Sequence, residues 1–366
     1  MCPEKGNQNL KEIDRSGYRK RLNQLEFDAA NIPNTPMAVM GKTTILAVLI
    51  MRWELLMVDR ALPNHPFESV ESLIRDANQQ LLSWKQVTFA ERSSQLYAGN
   101  LSLTLEAGHK DLFQQLWVEF SEADYLERIS RYDHRLNVNG LNNGFLKGSR
   151  CIDFGCGHGN FAHALRNAEA ASVLGLDFGQ DNVAFAAAAA DRLGSTGLEF
   201  VEGSVYATRT PSDHFDFAVQ NGVFHHLEDE DMAYAEAIRV LRPGGWMWIY
   251  TDGQDHIAGD IQDTCSRILR DIEPSTVMRY LDTMNLSTGK RYHLGDSLNA
   301  VYRHTGYDEF VERLQSYGFD EFQRLTGGYA TDFDADVILS DPWGVEKFGE
   351  GDIRVLARKA ESSPRT

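Results

Sequence analysis

Cysteine is scarce in this 366-residue sequence. There are four, Cys2, Cys151, Cys156 and Cys265, and none falls at the spacing of a disulfide framework or a zinc site. That excludes a disulfide-stapled scaffold and fits a reducing, cytoplasmic setting. Long apolar runs are missing as well. The most apolar stretch, residues 43–51, is bounded by Lys42 and Arg52. It falls far short of the ~20 residues that span a bilayer, so no membrane insertion is expected. Residues 1–25 are polar and charged and do not read as a secretory signal. Positive charge is also in short supply, with 36 Lys and Arg against 53 Asp and Glu and a net charge of −17. A general nucleic-acid binder needs a basic face, so no nucleic-acid partner is expected. Repeats and low-complexity segments are absent. Gly41-Lys42-Thr43-Thr44 has the tail of a phosphate-binding loop, but the glycine its pattern requires at position 36 is Pro36. No set of carboxylates accompanies Asp252, so no metal site is expected.

What is present is a 42% hydrophobic chain, enough for a sizeable core, and longer than one average domain. Residues 1–135 read as an N-terminal helical appendage. Its first 35 residues are polar and read as loose. Two amphipathic helices follow, over 42–62 and 68–84, with apolar residues such as Ile45, Leu49 and Trp53 at spacings of three and four. Residues 111–136 carry Phe113, Trp117, Phe120, Tyr125 and Tyr132, in one helix or in two broken near Ser121. This aromatic stripe reads either as core or as a cover for a ligand. From Arg150 onward strands and helices alternate, the pattern of an α/β fold with a doubly wound, mostly parallel sheet. Seven strands are expected: Arg150–Phe154, Ala171–Asp177, Leu198–Glu202, His214–Gln220, Trp246–Thr251, Phe319–Leu325 and Asp352–Arg358. The domain is expected to span 136–366. It is interrupted at about 252–304 by an insertion that reads as a lid over the substrate side, or else as an outer elaboration.

The first strand runs into Asp153-Phe154-Gly155-Cys156-Gly157-His158-Gly159-Asn160. Glycines there permit left-handed turns and let a ligand approach the main chain. The helix that follows points its free N–H groups at the same place. A dinucleotide loop of the type G-x-G-x-x-G would need a third glycine at 160, which is Asn160, and Asp153 would repel a pyrophosphate. A carboxylate suits a ligand bearing positive charge and no phosphate. The stretch resembles motif I of the class I S-adenosylmethionine (SAM)-dependent methyltransferases, D/E-x-G-x-G-x-G, with Asp153, Gly155, Gly157 and Gly159 in its four places.

Further motifs follow in order. Asp177 ends the second strand, placed to accept hydrogen bonds from both ribose hydroxyls of a nucleoside. Phe178, next to it, is placed to lie against an adenine. After the third strand comes Glu202-Gly203-Ser204-Val205, where the family usually has an aspartate for the adenine amino group and this sequence has Ser204. Gln220 and Asn221 end the fourth strand. The segment from Phe215 through Leu227, with Leu241-Arg242-Pro243-Gly244-Gly245, resembles the ubiquinone- and menaquinone-type small-molecule methyltransferases. The resemblance implies a Rossmann-like fold and SAM as cofactor, held by Asp153, Gly155, Gly157, Gly159, Asn160, Asp177, Phe178, Ser204, Val205, Gln220 and Asn221. It implies methyl transfer to a small-molecule acceptor, with oxygen the expected atom. A macromolecular acceptor, protein or RNA, and a non-catalytic SAM-binding protein stay open, as does a NAD-dependent oxidoreductase, against which Asp153 and Asn160 count. The substrate and the oligomeric state are not legible. His225 and His226 follow the fourth strand on the loop nearest the reacting methyl group and are the candidate bases, with at most one expected to face substrate. His293, in the insertion, is the runner-up.

Overall fold

The run Arg150–Phe154 (β1) is buried from Cys151 onward, as a strand covered on both faces must be. In the computed structural model, which describes residues 13–58, 64–88 and 121–361, it is an interior strand of a seven-stranded sheet. The other strands are Ser172–Asp177 (β2), Leu198–Glu202 (β3), Phe215–Asn221 (β4), Leu241–Asp252 (β5), Phe319–Arg324 (β6) and Asp352–Lys359 (β7). Their order is β3-β2-β1-β4-β5-β7-β6. The first five pair in parallel, whereas β7 runs antiparallel to both of its neighbours. The chain winds outward from β1 to β3, then returns to start again at β4. That reversal leaves a crevice at the carboxyl ends of β1 and β4, where open α/β sheets bind ligands. The expected seven-stranded, mostly parallel fold is therefore the one found. Several strand boundaries shift by one residue, and the start of β5 shifts by five. β5 takes in the Pro243-Gly244-Gly245 turn expected to precede it. Its pairing with β4 jumps from Phe215↔Leu241 to Phe217↔Trp246, so the extra residues bulge from the ladder.

The chain divides into two units. Among the described residues, the sheet unit contains 121–253, Arg303–Asp334 and 352–361. Its helices include Glu122–Val138 (α4), Asn160–Asn167 (α5), Gln180–Leu193 (α6), Glu230–Val240 (α7) and Tyr307–Tyr317 (α11). Phe154, Phe224, Tyr234, Ile249 and Phe310 pack in one core cluster, and Leu136, Phe161, Phe217, Trp248 and Leu356 in another. α4 starts at Ser121, whose side chain caps the N–H of Asp124 while Asp124 returns a bond to the Ser121 N–H. The described part of the stretch expected as helix over 111–136 begins at this capping box. Phe113, Trp117 and Phe120 lie outside the described residues.

The helical unit joins three stretches, the described residues up to Thr88, Gln254–Tyr302 and Ala335–Gly351. Its helices are Ser16–Ala30 (α1), Pro36–Met57 (α2), Pro66–Thr88 (α3), Ile257–Leu269 (α8), Pro274–Asp282 (α9), Thr288–Asn299 (α10), Ala335–Ser340 (α12) and Gly344–Phe348 (α13). The segment expected to be loose thus contains α1, which buries Tyr18, Leu22, Leu25 and Ala29 along one face. Gly41, in the discarded phosphate-loop tail, has a packing role. A Cβ there would meet the Trp84 indole at 2.1 Å, and that indole donates to the Met37 carbonyl at 3.0 Å. Lys42 is buried and donates to the Ile32 carbonyl and Asn34 Oδ1. Polar ties connect the early helices to the later ones: the Tyr18 hydroxyl and Arg19 to Asp260, Lys347 to the Met57 carbonyl, and Glu54 to Lys290 and His293. The early helices and the 252–304 insertion, expected as separate pieces, here belong to one unit. Among the described residues no helix is long and apolar enough to cross a membrane.

Candidate cofactor and active site

The glycine loop after β1 is tied to β2 through its main chain, because the Gly155 and Cys156 amides both donate to the Leu176 carbonyl, at 2.7 and 3.0 Å. Two of its glycines serve different ends. Gly159, the N-cap of α5, has φ +81°, and the Phe200 ring stands 2.7 Å from where a Cβ would be. That glycine is required by packing. Gly157 has φ +52°, and a Cβ added there would meet nothing within 4 Å. It leaves bare main chain facing open space, which a ligand can approach.

Two carboxylates flank this loop. Asp177, at the end of β2, is buried and accepts from the Gly157 amide at 2.9 Å, the Gly179 amide at 2.8 Å and the Asn182 side chain at 3.2 Å. Asn182 went unnoticed in the sequence. Its signal was its place in the first turn of the helix that follows β2. Asp153, at the fourth position of β1, is 2% exposed. It accepts from the Ala162 amide, while its Oδ2 has no hydrogen-bond partner. Burial, and then the neighbouring Asp177, push its carboxyl up to about 8. Two acids at adjacent strand ends, one holding a partnerless buried oxygen, form an environment that a cationic group would relieve and a pyrophosphate would aggravate. SAM, which carries an ammonium and a sulfonium, fits this donor set.

The remaining expected cofactor residues are placed as follows. Asn160, the first residue of α5, is buried and donates to the Tyr125 carbonyl at 3.3 Å. Phe178 is 36% exposed beside the end of β2. Ser204 closes its own turn by accepting from the Tyr206 amide at 3.2 Å, and Val205 packs against the core. Gln220 is fully buried. Its amide donates to the Tyr250 carbonyl at 3.1 Å and the Tyr234 hydroxyl at 3.3 Å. Its Oε1 accepts from the Val223 and Phe224 amides at 3.2 and 3.3 Å. That side chain shapes the loop after β4. Asn221 likewise accepts from the Trp248 indole at 3.1 Å.

His225 and His226 lie in a short 3-10 turn, Phe224–His226. Their Nε2 atoms are 3.0 Å apart, so one ring donates a proton to the lone pair of the other. The tight turn brings the two candidate rings into contact. His225 is buried, at 2% exposure. His293 sits on α10 in the helical unit, its Nε2 bonded to the Glu54 carboxylate. The sheet unit thus assembles Asp153, Gly155, Gly157, Gly159, Asn160 and Asp177 around one loop, and His293 is not among them.

Comparison with known proteins agrees with this geometry. The family described as "Methyltransferase domain" matches residues 152–249. A fatty-acid O-methyltransferase of Mycolicibacterium smegmatis is 36% identical over 219 residues, covering 58% of this chain and 76% of that enzyme. A sterol 24-C-methyltransferase of Aspergillus fumigatus is 30% identical over 160 residues, covering 40% of this chain and 41% of that enzyme, so the match spans less than half of the sterol enzyme. Among solved structures, a SAM-dependent methyltransferase of Mesorhizobium loti shares 20% identity at a TM-score of 0.39, covering 58% of this chain and 92% of that one. A glycine loop between two buried carboxylates at a sheet's switch point, and likeness along most of a whole relative, lead to one assignment: this chain belongs to the class I SAM-dependent methyltransferases.

Proposed function

We propose that this methyltransferase acts on a small molecule with an apolar chain, and that the acceptor is a carboxylate oxygen. The observation that carries the reading is the 36% identity along 76% of a fatty-acid O-methyltransferase. In this reading Asp153 receives the donor's ammonium, the main chain at Gly155–Gly159 lies along its methionine part, and Asp177 holds its ribose hydroxyls. SAM, when bound, supplies an electrophilic methyl carbon on a good leaving group. What the protein adds is alignment of acceptor oxygen, methyl and sulfur with water kept out, an effect worth about 7–11 kcal/mol. A carboxylate is already ionised at neutral pH, so no base is required. His225 and His226, bonded to each other, then shape and polarise the loop after β4 without taking a proton from substrate. A cytoplasmic setting belongs to this reading, in which the buried thiols Cys151, Cys156 and Cys265 stay free, and no nucleic acid takes part.

The test is methyl transfer from labelled SAM to a panel of a long-chain fatty acid, a sterol and a phenol. The expected product is the fatty-acid methyl ester, and His225→Gln and His226→Gln should each keep turnover within several-fold. Transfer to the phenol alone, with a loss of roughly 10²–10⁴-fold in one histidine variant, would instead identify a hydroxyl acceptor and a histidine base. Transfer only to a side-chain carbon of the sterol, leaving its hydroxyl unmethylated, would reject oxygen as the acceptor.

A further inference from the structure

The glycine loop has a structural weakness. With left-handed glycines at 155, 157 and 159, it lacks the side chains that elsewhere lock a turn in place. Its amides are held from within the β1–β2 region, by Leu176 and Asp177, and Gly159 donates to the Cys156 carbonyl at 2.9 Å. Its central carbonyl, that of His158, points the other way. The peptide it belongs to joins His158 to Gly159, whose φ of +81° lies in the left-handed region that glycine enters freely.

That carbonyl accepts a hydrogen bond from the Tyr125 hydroxyl at 2.8 Å. Tyr125 is on α4, outside the strand-turn-helix motif, and is 1% exposed. Its own carbonyl accepts from Asn160, so α4 grips the loop and the start of α5 by two bonds from one residue. Ring contacts fix the side chain. Tyr125 meets His163 and Phe185 edge-on at 6.0 and 5.7 Å, and Phe185 stacks at 4.0 Å on the His158 ring. The helix is fastened at both ends, at Ser121 by the capping box and at Arg135 by a buried ion pair with Asp332 at 2.7 Å. Burial pushes the Tyr125 phenol well above its usual range, so the hydroxyl remains a donor at every working pH.

We propose that Tyr125 is a positioning residue for the methyl donor: its hydroxyl fixes the His158–Gly159 peptide and so keeps the glycine loop in the shape that receives SAM. The inference rests on the methyltransferase reading above. Tyr125 touches the loop from behind and acts through it.

The test uses the full chain and S-adenosylhomocysteine as the probe, titrated calorimetrically, with steady-state kinetics alongside. Tyr125→Phe removes one hydroxyl. It should weaken the probe and raise KM for SAM by about 3- to 10-fold, the effect of one hydrogen bond, while kcat at saturating SAM and KM for the acceptor stay within about 2-fold. Ser121→Ala is the structural control. It loosens the cap of the same helix and should lower the melting midpoint while leaving probe affinity unchanged. Equal affinity in Tyr125→Phe and the wild type, or equal losses in Tyr125→Phe and Ser121→Ala, overturns the proposal. Amide hydrogen exchange of the ligand-free wild type gives an independent reading. The Gly157 and Gly159 amides should already be protected, and fast exchange there would also overturn it. A wild-type protein that does not bind the probe at all would reject the methyltransferase reading itself.

Discussion

Replacing Asp153 by asparagine should have opposite effects on stability and on ligand binding. The substitution keeps the shape of the side chain and an oxygen for the Ala162 amide, and removes the charge. Asp153 is buried beside Asp177, and its carboxyl titrates at about 8 instead of the ordinary 3.8. The folded protein therefore holds this proton more tightly than the unfolded chain does. The sign follows from that: the contribution to stability is full at low pH and is lost as pH rises from about 4 toward about 8. Each pH unit across the window is worth about 1.4 kcal/mol, so the ligand-free wild type gives up on the order of 5 kcal/mol at this site. Asparagine does not titrate. It does place an N–H₂ group where Oδ2 has no partner, at a cost of ~1–3 kcal/mol. The ligand-free variant should be more stable than the wild type at pH 8, by roughly 2–4 kcal/mol, and no more stable at pH 4, so that the two urea-denaturation curves cross with pH. In the same variant the ammonium of SAM loses its charged partner, at a cost of about 1.5–3 kcal/mol, or roughly 10- to 150-fold in affinity. Parallel stability curves across pH 4–8, or an unchanged SAM affinity, would show that Asp153 is not a strained carboxylate kept for a cation.

Two further perturbations probe neighbouring features. Gly157→Ala forces a left-handed alanine at a cost of about 1–2 kcal/mol, but its new methyl meets no protein atom within 4 Å. The chain should therefore fold while its affinity for S-adenosylhomocysteine falls by more than about tenfold, and normal affinity would mean that the ligand does not use this space. Arg354→Met removes the buried guanidinium that donates to Asp334 and Asp352 at 2.8 Å and to Asp332 at 3.3 Å. Leaving those acids without it should cost about 3–5 kcal/mol in urea denaturation near neutral pH, with much of the loss relieved in acid. A loss below about 1 kcal/mol would mean that Arg135, which also binds Asp332, holds the cluster alone.

The fold was legible where its cause is local. Alternating strand and helix signals dictate a parallel sheet, and the glycines at 155, 157 and 159 have few uses other than the turn they make. The α1 helix was equally available, since Tyr18, Leu22, Leu25 and Ala29 stand at helical spacing, but its many charged neighbours masked the stripe. Gln220 could not be read from sequence. A polar residue at a carboxyl strand end looks like a ligand contact, and only the fold brings the Tyr234 hydroxyl, the Tyr250 carbonyl and two loop amides to its side chain. The His225–His226 bond depends on the 3-10 turn in the same way. The partners of α2 were out of reach as well. Glu54 meets Lys290 and His293 more than two hundred residues later, a separation across which residue periodicity carries no information.

The interleaving of the two units has a consequence for how the chain is made. Each unit is assembled from three separated stretches, so neither is complete early in synthesis. The sheet unit lacks both of its antiparallel pairings until Asp352–Lys359 has emerged. The helical unit waits for Ala335–Gly351. Meanwhile α2, apolar along most of its 22 residues, leaves the ribosome long before the helices that carry Lys290 and Lys347. Vectorial folding, one unit after the other, is unavailable to such a chain. The N-terminal helices emerge well before the other two stretches of their unit, and any cut between residues 88 and 254 divides the helical unit.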